Sequence, residues 1–143
     1  MTDAKGVKAS RRKGYAHSLT ARHHTLIADE PEDAGGSDAG PSPTELLALS
    51  LASCTAITVE MYADRKNWDV GALEVEVEYE SERSVPVRYD VLITIPVELS
   101  DEQVERLRVI AGKCPVHRAL TGEVPINDRI ELSPGANQSP DAS

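Results

Sequence analysis

The alternation of apolar and acidic residues from Leu73 to Glu80, in which Leu, Val and Val interleave with Glu, has the two-residue period of a strand with one face in water. Val87 to Val97 reads as its partner, and Ser81 to Ser84 as the hairpin turn between them. A different pattern precedes this pair. From Leu46 to Val59 almost every residue is apolar or small, with no strand period. Ser42 can cap a helix there, Pro43 fits its first turn, and Glu45 stands three residues after Ser42 as in a capping box. The predicted helix runs from Pro43 to about Arg65, roughly 33 Å. A helix apolar on all sides belongs inside something, whether sheet, partner subunit or both.

The flanks follow from the same signals. Val7 to Asp29 holds two or three strand-like stretches, with a turn at Gly14 and a β-branched run at His24 to Ala28. Asp29 to Pro43 collects Gly, Pro, Asp and Ser and is a loop, either a flexible crossing or a shaped border to a site. Ser100 and Gln103 form a second capping box, opening a helix whose inner face is Val104, Leu107, Ile110 and Ala111 and whose end is Gly112-Lys113. Cys114 to Leu120 is a short helix and Val124 to Leu132 a last strand. The residues from Ser133 onward have the composition of a disordered tail. The expected class is α+β, with one domain over residues 1–132 and a tail over 133–143.

Composition adds three constraints. The 143 residues include no Phe, one Trp and four Tyr, so the core must be aliphatic and favours association as a way to bury more surface. A net charge of −9 opposes nucleic-acid binding, and Arg11-Arg12-Lys13 reads as a solvated end. No apolar run approaches the roughly 20 residues of a membrane span, and Met1 to Arg12 has no apolar signal segment, so a cytoplasmic protein without a membrane role is expected.

Two cysteines in a reducing compartment do not suggest a permanent staple. Cys54 lies mid-helix with Ser50 and Thr58 on its face, which suits core packing and also a thiol opening on a pocket. A reactive Cys54 needs a cation to stabilise its thiolate. Arg11, Arg12, Arg22 and Arg118 are the candidates, with Arg22 placed on a strand beside His23 and His24. Cys114 sits at a helix junction, facing either the negative end of one helix or the positive end of the next. Zinc held by Cys54, Cys114, His117 and His23 or His24 is a further reading, though scattered single ligands are a weak signal.

Gly35 to Leu47, leading to Ser53-Cys54-Thr55, then Met61 to Lys66, then Cys114-Pro115-Val116-His117-Arg118, together resemble the signature of the osmotically inducible protein C (OsmC) and organic hydroperoxide resistance (Ohr) superfamily. The resemblance covers about Arg22 to Leu132. It implies a curved antiparallel sheet around a long central helix, in an intertwined homodimer with its sites at the subunit interface. It further implies a peroxidase of organic hydroperoxides, or of hydrogen peroxide, in oxidative stress defence, with no cofactor or metal. Cys54 would be the peroxidatic thiol, Cys114 the resolving one, and a small dithiol or lipoyl-type compound the reductant. Family peroxidases carry a glutamate directly after the helix-start proline to orient a catalytic arginine. Here Thr44 takes that place and Glu45 follows one residue, or about 100° of helix, later. The candidate site is therefore Cys54 and Cys114 with Glu45 and an arginine that no motif match fixes, Arg22 being the first choice and Arg118 the reserve. The alternative is a non-catalytic dimer of the same fold that binds an apolar ligand.

Overall fold

The computed structural model describes residues 2–135. The predicted tail lies outside them from residue 136 onward; Ser133 to Gly135 end in a turn. Contacts divide the chain into two compact units, one of residues 1–46 with 127–143 and one of residues 47–126.

The first unit is a three-stranded antiparallel sheet in the order β1 (Lys8–Lys13), β2 (Ala16–Ala21), β3 (His24–Ala28). Gly14 turns the chain between β1 and β2 at φ +58°, which glycine adopts freely. The connection of β2 to β3 corrects the sequence reading. Arg22 is not on a strand: Arg22 and His23 are the two-residue turn, with Arg22 at φ +56°. No Asn-Gly or Asp-Gly marks this turn, and an arginine in the left-handed region costs about 1 kcal/mol or more.

The loop after β3 is shaped rather than loose. Asp29, only 2% exposed, accepts three backbone N–H bonds at its carboxylate, from Glu30 (2.7 Å), Ala39 (3.1 Å) and Ser37 (3.2 Å). Its own N–H donates to the Pro41 carbonyl (3.1 Å), closing the loop at its base. A single 3₁₀ turn at Glu32–Ala34 lies within it. The loop also requires close backbone approach: a Cβ on Gly40 would stand 2.2 Å from the Ile27 oxygen and one on Gly36 2.0 Å from the Glu30 oxygen.

The Ala39 N–H is the chief cause holding the Asp29 carboxyl below its ordinary value; burial opposes it, and the Glu30 and Ser37 N–H groups and His17 reinforce it. A depressed folded-state pKa stabilises the protein above the unfolded carboxylate range, and that stability is lost as pH falls through the folded value. Thermal melts should therefore show wild-type stability falling below about pH 4. Asp29→Asn should melt lower than wild type at pH 7, since one carboxamide edge is a donor facing other donors, and should show a flatter acid limb. Superimposable melting curves for the two proteins across this range would exclude the role.

The long helix α1 spans Pro43–Lys66 and starts as expected. Glu45 N–H donates to Ser42 Oγ (3.3 Å) while Glu45 Oε1 accepts from Ser42 N–H (2.8 Å), the reciprocal bonds of a capping box. Against the expectation of all-round burial, α1 buries one stripe, Ala48, Leu51, Thr55, Val59 and Ala63, at the three- and four-residue spacing of one face. Leu49, Ile57 and Met61 stay 54–58% exposed. This helix is long and apolar enough to cross a membrane by length and composition, which corrects the sequence expectation. The serines and threonines that break its apolar run do not lower its hydropathy enough to fail that test.

The second unit continues with a hairpin of β4 (Glu74–Glu82) and β5 (Val85–Thr94). Its turn residues Arg83 and Ser84 both have positive φ (+52° and +70°), the twist that suits a two-residue hairpin. Val75, Val77 and Tyr79 are half-buried, while Glu74, Glu76, Glu78 and Glu80 point to water. Across from those glutamates stand Thr94, Leu92, Asp90 and Arg88.

Helix α2 (Asp101–Ala111) has the expected capping box, with Gln103 N–H on Ser100 Oγ (3.1 Å) and Ser100 N–H on Gln103 Oε1 (2.9 Å). Of its predicted inner face, Leu107 is buried, Ile110 and Ala111 are half-buried and Val104 is 51% exposed. The core joins Val59, Ala63, Val70 and Leu107, with Tyr62, Trp68 and Ile93 packed around them. Burial of Val59 and Leu107 contributes about 1.5–3 kcal/mol each. Arg106 Nε donates to the Tyr62 hydroxyl (2.9 Å) and ties α2 to α1.

Helix α3 (Pro115–Thr121) follows. Beyond it, the strand expected over Val124 to Leu132 does not form. The segment is irregular and pairs with no strand, with Val124, Ile126, Ile130 and Leu132 61–91% exposed. Its apolar pattern is strand-like, but a ladder needs a partner, and the described residues offer none.

Candidate active site

The second unit brings together two cysteines separated by sixty positions of sequence. Cys54 stands on α1, half-buried; Cys114 is fully buried, and both are free thiols. The structure settles which helix end Cys114 faces. It is the N-cap of α3, with extended backbone (φ −65°, ψ 146°) and Pro115 at the first helical position. Its Sγ accepts the His117 N–H at 3.3 Å. Thr55, beside Cys54 on the buried stripe, places Oγ1 4.0 Å from the same sulfur. The Cys54 thiol stands near enough to act electrostatically on Cys114.

Burial is the largest influence on Cys114 and pushes its thiol up. The His117 N–H pulls it down, the contact with Cys54 pushes it up again, and the Thr55 hydroxyl opposes that. The net effect is upward, disfavouring the Cys114 thiolate. The result is a two-thiol arrangement with one sulfur open to solvent and one held in reserve.

The same unit holds a cavity of about 510 Å³, lined by Leu47 and Leu51 of α1, Val87 and Val91 of β5, and His117 and Leu120 of α3; it meets the thiol cluster through His117, and neither cysteine lines it. Its walls are mostly apolar, as in small-molecule sites. The Tyr89 hydroxyl and His117 Nδ1 are buried there with no hydrogen-bond partner among the described residues. Burial, with a smaller effect of Tyr79, raises the Tyr89 phenol above its ordinary value.

The remaining sequence candidates are placed differently. Arg22 is exposed in the β2–β3 turn of the first unit, and Glu45 is engaged in the α1 cap. Among the described residues these two form no ion pair, and no arginine acts on Cys114. Arg118 is exposed on α3. Among the described residues, no three His, Cys, Asp or Glu side chains converge as a metal site. Sequence reasoning missed Thr55, whose one available signal was its polarity within an otherwise apolar stripe.

Comparison with known proteins agrees with this architecture. No curated protein sequence matches the chain significantly. A candidate osmotic stress induced and detoxification response protein from Psychrobacter arcticus 273-4 is 25% identical, covers 82% of this chain and 89% of its own, and superposes with a TM-score of 0.74. An OsmC-like protein from Mycoplasma pneumoniae is 17% identical over 85% of this chain and 90% of its own, with a TM-score of 0.72. The organic hydroperoxide resistance protein OhrB of Bacillus subtilis is 23% identical over 84% and 92%, with a TM-score of 0.56. The family of OsmC-like proteins matches residues 35–128, a stretch holding α1, the hairpin, α2, α3 and both cysteines. With this match over well more than half its length, the chain belongs to the OsmC-like protein family.

Proposed function

We propose that this protein is a thiol-dependent peroxidase that reduces organic hydroperoxides. The observation that carries the reading is the pairing of a half-exposed Cys54 with a buried Cys114 that lies near enough to feel it, both as free thiols. Names of structural relatives such as the Bacillus subtilis organic hydroperoxide resistance protein support it.

In the proposed cycle the Cys54 thiolate attacks the distal oxygen of the hydroperoxide. The O–O bond breaks, Cys54 becomes a sulfenic acid, and the alkoxide takes a proton and leaves as an alcohol. Cys114 then attacks the sulfenic sulfur, forming the disulfide and releasing water. A small dithiol or lipoyl-type reductant restores both thiols by exchange and leaves as its own disulfide. The apolar cavity suits the carbon chain of the substrate.

Homodimer formation and a reducing cytoplasm belong to the same proposal. The exposed α1 side chains Leu49, Ile57 and Met61 and the unpaired Val124 to Leu132 segment are surfaces that a second copy would cover. In that dimer Arg22 supplies the cation for Cys54. Glu45, with Oε1 engaged in the cap, keeps Oε2 to orient it.

The test is the intact mass after brief exposure to an organic hydroperoxide, with remaining thiols alkylated. Loss of two hydrogens with both Cys54 and Cys114 blocked is the expected result. Full alkylation of both would sink the peroxidase and favour the second reading, a non-catalytic dimer that holds an apolar ligand in the 510 Å³ cavity.

A further inference from the structure

We infer that Thr55 is a positioning residue for the resolving thiol, its hydroxyl holding Cys114 Sγ toward Cys54 and stabilising the sulfur as it loses its proton. The inference rests on the peroxidase reading for its kinetic consequence, and on the geometry alone for the hold on Cys114.

The argument begins with solvation. Cys114 is 0% exposed and Thr55 2%, so water cannot solvate a developing thiolate there. Two neutral groups approach the sulfur instead: the His117 N–H at 3.3 Å and the Thr55 hydroxyl at 4.0 Å. The His117 N–H belongs to the first turn of α3 and persists whatever side chain stands at 117. Thr55 is thus the one side-chain hydroxyl in the cluster. A threonine inside a helix ordinarily bonds a carbonyl of the preceding turn. This one instead reaches a sulfur on another helix.

Its place in the chain matters as much. Thr55 directly follows Cys54, so the residue that holds the resolving sulfur is covalently tied to the backbone that carries the attacking one. Any shift of α1 moves both. A hydroxyl is suited to this role because it accepts from an S–H and, after rotation about χ1 or its O–H bond, donates to a thiolate.

The step it serves is balanced as follows. Cys114 Sγ attacks the Cys54 sulfenic sulfur; the S–S bond forms and the S–O bond breaks. Cys114 is oxidised and the sulfenic sulfur reduced, and the Cys114 proton leaves with the departing hydroxide as water. The Thr55 hydroxyl donates to Cys114 Sγ while that proton departs. It opposes burial and the Cys54 contact, both of which favour the protonated thiol.

Two variants separate a positioning role from packing. Thr55→Val keeps the shape and removes the hydroxyl; Thr55→Ser keeps the hydroxyl and removes the methyl. In a Cys54→Ser background, ultraviolet absorbance follows Cys114 ionisation against pH. Thr55→Val is expected to titrate at higher pH than its parent, and Thr55→Ser to return toward it. In the otherwise wild-type chain, stopped-flow mixing with an organic hydroperoxide separates the peroxide-dependent phase from the later disulfide-forming phase. Thr55→Val is expected to slow that second phase about tenfold, the loss of one hydrogen bond to a developing charge, and to move its pH profile upward. An unshifted titration in Thr55→Val, or a Thr55→Ser variant that behaves as Thr55→Val does, overturns the inference. If the parent protein forms no disulfide with hydroperoxide, the peroxidase reading falls, and the titration still decides whether Thr55 holds Cys114.

Discussion

Cys54→Ser should lose peroxide turnover by about a thousandfold or more, as enzymes do when their nucleophile is removed. Cys114→Ser should instead consume about one equivalent of hydroperoxide and stall, because sulfenic acid forms and no thiol traps it. The contrast follows from the different settings of the two sulfurs. Cys54 is the solvent-reachable one, and only it can meet a peroxide directly. Cys114 is sealed by its surroundings, and its sulfur is approached by Thr55 and the start of α3, with Cys54 acting on it. Serine is also a good N-cap, so Cys114→Ser keeps the first turn of α3 intact and isolates the chemistry from the fold. Prolonged exposure of that variant should add a second oxygen to Cys54, visible as a sulfinic acid by mass. Continuous turnover by Cys114→Ser would remove Cys114 from the cycle and require an external thiol to resolve the sulfenic acid.

Gly40→Ala should be severely damaging for a single added methyl, lowering stability by about 3 kcal/mol or more and the melting point by about 10 °C. The cause is a backbone, not a side chain. The added Cβ would sit 2.2 Å from the Ile27 oxygen and 2.8 Å from its carbonyl carbon, and neither can rotate away. Relief requires moving the end of β3 or the loop that Asp29 organises. Gly14→Ala is the control. It also places alanine where glycine is used, at φ +58°, but nothing stands within 4 Å of the new Cβ. Its cost is the left-handed backbone alone, about 1–2 kcal/mol. Equal melting points for the two variants would show that crowding at Gly40 is not what the loop depends on.

What could be read in advance was what local chemistry encodes. Ser42 with Glu45 and Ser100 with Gln103 are three residues apart, so both capping boxes were visible in the sequence and both form. The β4 alternation was equally plain. The long helix was foreseen, but not that its buried stripe is narrow, because periodicity is silent on a segment apolar all round. Arg22 was misplaced because its turn carries a non-glycine residue at positive φ, against the usual composition of such turns. Asp29 went unnoticed since its partners are backbone N–H groups, which no side-chain pattern reveals. Val124 to Leu132 has the residues of a strand, yet strands are made by pairs and not by single segments. The two cysteines were legible as candidates through the resemblance of their surroundings. Their contact, and the part of Thr55 in it, depend on how α1 and α3 pack, which spacing along the chain does not contain.

The row of Glu74, Glu76, Glu78 and Glu80 fixes something further about how this protein meets its neighbours. Side chains two apart on one strand face stand about 7 Å apart, inside the screening length of physiological salt. Each carboxylate therefore feels the next, and the face acts as a fence of negative potential. Leu92, 58% exposed, stands among the residues opposite and is shielded by its acidic surroundings. Another sheet stacking there would have to strip water from the carboxylates, and an anionic lipid headgroup would be repelled. The hairpin is thus directional: whatever its apolar side comes to cover, its acidic side is the one that stays in water.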